Sequence, residues 1–236
     1  MYGKWKQTKN RESGVGNGMK SIVFAGSRGI GKEICNQLRE ITDELVFTSK
    51  QEVDTSDLES VKQFIEKHPY ADVLVLNTGG PESIPFEDIT EDIWYKYFNQ
   101  LFLSFVLILQ NIKVNEGGYV FLISSFNIKE PDPKLILSNS LRIGFTSVFK
   151  SLSKLYMDKR VSFINIAPGP TETDRLLNLL GNSGTTIEQF AESLPTKRVA
   201  APSDIGKFVK FLVENKISSL NGVTLNFDMG LSNYVL

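Results

Sequence analysis

Short, nearly unbroken apolar runs that alternate with helix-like segments constrain this chain most. The runs read KSIVFA (20–25), DELVFTS (43–49), DVLVLN (72–77), YVFLISS (119–125), VSFINIA (161–167) and GVTLNF (222–227). Strands this continuously apolar belong in a parallel sheet that is covered on both faces. The segments between them have helical spacing: GIGKEICNQLRE, SDLESVKQFIEKH, two long stretches near 91–113 and 136–157, and SDIGKFVKFLVE. The alternation predicts one α/β domain over 19–236, a Rossmann-type doubly wound parallel sheet. Residues 1–18 are polar and glycine-rich and read as a flexible N-terminal tail, with Met19 opening the domain.

One connection is unusually short. Only Lys50–Val53 separate the second run from the turn at Asp54–Asp57. A parallel crossover needs roughly 10–12 residues, so no helix and further strand fit here. The outer helix and strand after strand two are expected to be shortened or missing, which puts strand two near the sheet edge. Ser56 or Asp57 is the expected cap of the helix that follows.

Charge narrows the partners. Lysine and arginine number 26 against 27 acids, a net charge of −1, so no basic excess draws the chain to nucleic acid or to a membrane. Cys35 is the lone cysteine and falls inside a helical segment, which makes it a core residue and excludes a disulfide framework. His68 is the lone histidine and reads as a surface linker residue; no metal-ligand cluster is apparent. No run reaches membrane-spanning length and no apolar signal core opens the chain, so a cytoplasmic location is expected.

The stretch Gly26-Ser27-Arg28-Gly29-Ile30-Gly31 leaves the first strand and opens the first helix. Glycines there allow a sharp turn and close approach to a diphosphate, and the helix N-terminus offers free N–H groups and a positive dipole end. Leu76–Gly80, Ile123–Ser125 and Ala167–Thr173 each follow a strand, where ligands bind in open α/β sheets. Asn221–Gly230 closes the set. In this order and spacing, across 19–236, these segments resemble the short-chain dehydrogenase/reductase family.

The resemblance implies a nicotinamide dinucleotide as cofactor. It places Asp54 and Thr55 near the adenine, Asn77, Thr78 and Gly79 beside the central strand and ribose, and Pro168, Gly169, Thr171 and Thr173 at the nicotinamide carboxamide. Where NAD-preferring members carry an acid after strand two, this chain has Thr48, Ser49 and Lys50. With Arg28 in the loop, that favours NADP over NAD, because cations and hydroxyls suit a 2′-phosphate. Phe24 and Ala25 stand where the family has Thr-Gly, so a Cβ sits at the turn.

The catalytic segment departs further. Ser125 matches the family serine that polarises the substrate carbonyl. The place of the proton-transferring tyrosine is held by Ser138, and that of the lysine one turn later by Arg142. The asparagine position on the preceding helix falls near Leu101, and α-helical geometry turns Asn99 and Gln100 to other faces. Tyrosine titrates at about 10, whereas an alkyl hydroxyl is far less acidic, closer to water. A plain serine therefore forfeits most of the ~10²–10⁴ in rate that positioned acid–base help supplies. Arg142 stays charged and moves no proton, but it can fork onto an anionic substrate. Three readings stand: hydride transfer between the nicotinamide and a small carbonyl or secondary alcohol with non-standard residues; a catalytically inactive dinucleotide-binding sensor or assembly protein; or Tyr156 or Tyr97 in the tyrosine's role. Asn77–Pro81 and Leu137–Arg142, with Asn139, are similar to a divergent branch of the family. The resemblance further implies a homodimer or homotetramer paired through the aromatic-rich helix near 91–113, which its many apolar residues predict to be buried on several sides. It also implies a mobile lid over 174–199.

Overall fold

Residues 18–234 are described in a computed structural model of the protein; the expected tail, apart from Gly18, lies outside them. In chain order the elements are β1 (Lys20–Val23), α1 (Gly29–Leu38), β2 (Glu44–Phe47), α2 (Leu58–Lys67), β3 (Tyr70–Leu76), α3 (Glu91–Phe98) and α4 (Ser104–Asn111). Then follow β4 (Lys113–Ile123), α5 (Ile136–Leu155), β5 (Ser162–Pro168), α6 (Asp174–Asn182), α7 (Ile187–Ser193), α8 (Pro202–Glu214) and β6 (Val223–Phe227). All six strands pair in parallel, in the order β2-β1-β3-β4-β5-β6.

The short connection has its expected result. Residues 48–57 carry neither helix nor strand, and β2 pairs only with β1, at the sheet edge. Asp57 is the residue that caps α2, its carboxylate accepting from the Glu59 N–H at 3.0 Å. Each strand feeds both faces, as period-2 alternation requires. Ile22, Leu74, Val120 and Phe163 face α2, α4 and α5, while Val23, Val75, Phe121 and Ile164 face α1 and α8. These side chains are at most 2% exposed, and each contributes about 1.5–3 kcal/mol by leaving water. Phe24 joins the first layer, edge-on to Phe64 at 5.0 Å. Cys35 is a core residue, and burial pushes its thiol up to about 12. His68 closes α2 half-buried, its ring 4.6 Å from that of Phe64, rather than lying free on the surface. No helix among the described residues is long and apolar enough to cross a membrane.

The segment 91–113 differs from its prediction. It is two α-helices joined by a π-helical turn at Asn99–Leu103, it stops at Asn111, and Lys113 already belongs to β4. Its burial is one-sided as well. Phe105 and Ile108 are in the core, but α3 has no buried residue, and Tyr95 is 60% exposed. Among the described residues nothing covers the outer face of α3, where Tyr95 and Phe98 stand exposed.

Two turns at the carboxyl edge test local energetics. Ala25 adopts φ 48°, the left-handed region where a Cβ costs roughly 1–2 kcal/mol. Ala25→Gly should therefore raise unfolding free energy by about 1 kcal/mol, read as a higher midpoint in urea with an unchanged slope. After β6, Asp228 accepts from the N–H groups of Gly230 (3.0 Å) and Ser232 (3.1 Å) and from the Ser232 hydroxyl. Burial pushes this carboxyl up, but those donors outweigh it and hold it below its ordinary value. Its stabilisation is thus present above the unfolded carboxylate range and lost as pH falls through the lower folded value. Asp228→Asn should cost about 1.5–3 kcal/mol at pH 7 and much less near pH 3, measured by urea unfolding at both.

Candidate functional site

The β1–α1 turn is held from below. Asn77 at the end of β3 donates its side-chain amide to the Ala25 carbonyl at 3.2 Å, and the Thr48 hydroxyl oxygen accepts the Ala25 N–H at 3.1 Å. Gly26 donates to the Thr48 carbonyl at 2.8 Å. Gly31 is the residue that lets α1 begin here: a Cβ on it would lie 2.2 Å from the Ala25 carbonyl oxygen. The helix start that results is bare. Arg28 occupies the N-cap in extended backbone without capping through its side chain, and the first turn holds no acid. The first N–H groups of α1 thus keep no internal partner. A glycine turn beneath an uncapped, acid-free helix N-terminus fits a diphosphate, so the chain's residues suit the dinucleotide that the fold implies. Ser27 and Arg28 are exposed beside it, and Ile30 and Gly29 are half-exposed.

Beyond β2 the structure adds an acid that the sequence reading left out. Glu52 accepts the Ser49 N–H at 2.7 Å, so a carboxylate stands at the position considered for a 2′-phosphate. Lys50 is 73% exposed and reaches Asp54 at 3.6 Å. Asp54 also accepts from the Ser56 N–H and hydroxyl; these and Lys50 outweigh burial, which alone would raise it, and keep the carboxyl below its ordinary value. The signal for Glu52 was present as a Ser-x-x-Glu spacing. Thr55 and Thr78 share a hydrogen bond of 2.8 Å, linking this loop to the end of β3.

At the reacting end, Ser125 starts a 3₁₀ turn, its Oγ accepting the Asn127 N–H at 3.3 Å. That turn packs on α5. Ser138 is buried there and accepts from Arg142 Nε at 3.2 Å. Arg142 lies 9% exposed and donates to the Ile123 carbonyl (3.1 Å) and the Thr78 carbonyl (3.5 Å), bracing β3 against β4. Burial first, and the neighbouring Arg175 charge second, push it down to about 10, still far above neutral pH. Asn139 donates to the Asp132 carbonyl and leaves its Oδ1 without a partner.

Gln100 is a correction. It was expected on another face, yet its Nε2 donates to the Gly79 carbonyl at 2.7 Å. The π turn holds more residues than an α turn, so it rotates Gln100 back toward the end of β3. Leu101 is buried in the core instead. Tyr156 is excluded from the site: it caps the far end of α5 and packs on Phe163 at 5.6 Å, about 30 Å from Ser138's end at 1.5 Å per residue.

The β5 end completes the edge. Gly169, following Pro168, donates to the Phe227 carbonyl at 3.0 Å, and Thr171 donates to the Gly169 carbonyl at 3.0 Å. Thr173 caps α6, and its methyl lies 3.3 Å from where a Gly29 Cβ would be. The start of the 174–199 segment therefore sits over the glycine turn. Asp228–Gly230 follow β6 at this same edge, so the C-terminal motif also contributes to it.

The comparisons agree with this architecture. A family model described as enoyl-(acyl carrier protein) reductase matches residues 31–232. The uncharacterized oxidoreductase YvaG of Bacillus subtilis is 24% identical over 91% of this chain and 96% of its own length. The short chain dehydrogenase/reductase astE of Aspergillus oryzae is 29% identical over 76% of this chain and 73% of its own. Among solved structures, a short chain dehydrogenase family protein from Francisella tularensis superposes with a TM-score of 0.79 at 20% identity, covering 90% of this chain and 98% of that one. A small-chain dehydrogenase in complex with NADPH gives 0.79 at 22% identity over 90% and 98%. With the fold, the glycine turn and the strand-end segments in place, the chain belongs to the short-chain dehydrogenase/reductase family of oxidoreductases.

Proposed function

We propose that this protein transfers hydride between NADP(H) and a small carbonyl or secondary alcohol, with Ser125, Ser138 and Arg142 at the reacting end. The observation that carries the reading is the bare start of α1 on the same sheet edge as the Ser138–Arg142 pair. Gly26–Gly31 would hold the diphosphate, Thr55 and Thr78 the adenosine side, and Pro168–Thr173 the nicotinamide side. The bound nicotinamide supplies or takes the hydride.

The chain's own residues handle the oxygen and its proton. Arg142 Nε occupies a lone pair of Ser138 Oγ, so the serine proton is free to be donated to a substrate oxygen. The adjacent guanidinium favours any negative charge that develops on Ser138, which recovers part of what an alkyl hydroxyl lacks beside a phenol. In this reading Ser125 would polarise the same oxygen. Ser138→Ala should lower kcat by about 10²-fold or more with KM and dinucleotide affinity little changed, measured by steady-state kinetics and nicotinamide fluorescence. The absence of tyrosine and lysine at these two positions favours one second reading, a dinucleotide-binding protein without turnover. Tight cofactor binding with no turnover on a broad carbonyl and alcohol panel would select it.

The cofactor preference rests on Lys50 and Arg28, which forms no ion pair among the described residues. The Lys50–Asp54 pair is exposed and yields easily to a phosphate; Glu52 must rotate away. The exposed Tyr95, Phe98 and Ile143 favour a homodimer or homotetramer, since association would cover them. Fluorescence titration with NADPH and NADH tests the preference. NADPH should bind more tightly, Lys50→Ala should weaken NADPH roughly tenfold while sparing NADH, and Glu52→Gln should strengthen NADPH. Equal affinities that neither variant moves would refute it.

A further inference from the structure

Two guanidinium groups stand close to each other at the carboxyl edge of the sheet, and among the described residues no carboxylate pairs with either. Arg175, the second residue of α6, donates from Nη1 to the Gly80 carbonyl at 2.8 Å and from Nη2 to the Pro81 carbonyl at 3.0 Å. Arg142 donates to the Thr78 carbonyl two residues earlier in the same loop. Neither arginine forms an ion pair among the described residues, and Glu172 and Asp174, which flank Arg175, are exposed and bonded elsewhere or not at all. The groups feel each other: the Arg175 charge depresses Arg142, and burial depresses Arg175, with Tyr97 opposing.

The loop is shaped to take the second cation. A Cβ on Gly80 would lie 2.7 to 3.0 Å from three atoms of the Arg175 guanidinium, so only glycine lets that plane rest on the backbone. A guanidinium has five N–H donors. Arg175 uses two and Arg142 three, on neutral oxygens alone. Arg175 is half-buried, whereas Arg142 is buried, so of the two it is Arg175 that lies nearer solvent. Gathering two repelling, partly desolvated cations is unfavourable unless an anion joins them.

We propose that Arg175, backed by the charge of Arg142, is an oxyanion subsite, and that the substrate is a carbonyl or alcohol carrying a carboxylate or phosphate. The proposal rests on the crevice being the reaction site argued above. Arg175 would contact the oxyanion through its free fork; Arg142 would act from behind as a positioning residue. Substrates of this class are 2-oxo and 3-oxo acids, the matching hydroxy acids, and phosphorylated ketones.

The test uses the full chain with saturating NADP⁺, which keeps small anions off the α1 N-terminus. Calorimetric titrations compare acetoacetate with methyl acetoacetate, and dihydroxyacetone phosphate with dihydroxyacetone. Wild type should bind one of the two anions at least about tenfold more tightly than its neutral counterpart, the worth of one charge-assisted contact. The arm that shows the preference tells carboxylate from phosphate. Arg175→Met should abolish the preference and leave the neutral ligands within twofold; Arg175→Lys should retain part of it. A merely structural role for Arg175 would shift acid and ester together. Absence of any preference in wild type overturns the proposal, as does a preference that survives Arg175→Met. If Arg175→Met fails to fold, the acid–ester comparison in wild type and Arg175→Lys decides. NADPH fluorescence is measured in parallel without substrate. Loss of dinucleotide binding with the anion preference intact would refute the proposed cofactor chemistry while upholding the subsite.

Discussion

Every strand of this sheet runs in the same direction, and the rest of the molecule depends on that parallelism. It forces each connection across the sheet as a helix, and it brings every strand-to-helix loop to one edge. The turn after β1, the Thr78–Pro81 loop after β3, Ser125 after β4 and Gly169–Thr173 after β5 meet there, although they are distant in the chain. The hydrogen bonds that cross between these loops, Asn77 to Ala25, Thr55 to Thr78 and Arg142 to Thr78 and Ile123, are consequences of that convergence.

Within the edge, the two ends differ in their electrostatic source. At α1 the positive potential comes from backbone: free N–H groups and an aligned helix, with no acid in the first turn. At the other end it comes from side chains, Arg142 and Arg175, set among carbonyl oxygens. Carbonyl dipoles satisfy donors without cancelling charge, so the cationic field survives inside the crevice. A hydroxyl beside a guanidinium has less intrinsic acidity than a phenol beside an ammonium, while the guanidinium stays charged across the physiological range.

The π turn at Asn99–Leu103 shows how a local irregularity reaches the site. One additional residue in the turn moves Gln100 onto Gly79, beside Gly80 on which Arg175 lies. Nothing in the composition of Asn99–Leu103 marks this; the apolar spacing on either side reads as one α-helix. Glu52 escaped for a related reason. Its separation from Ser49 was visible, but the closing of the loop that brings its carboxylate to the Ser49 N–H depends on β2 having no further strand beside it.

The chain's own pattern determined the elements that depend on period and length. Apolar runs buried on both faces dictated parallel strands, and four residues between the second apolar run and the Asp54 turn ruled out another crossover. Glycines before a helix marked the α1 turn, and the family resemblance singled out Ser125, Ser138 and Arg142. Only tertiary structure decided how those side chains point and what they meet: that Arg142 turns inward to two strand ends, that Arg175 comes from a helix far along the chain to lie on Gly80, and that Tyr156 ends at the far side of α5. The physical reason is range. Helix and strand follow from interactions a few residues apart, whereas the charge and hydrogen-bond partners of the site are separated by up to 95 residues of sequence and exist only once the sheet has gathered its ends.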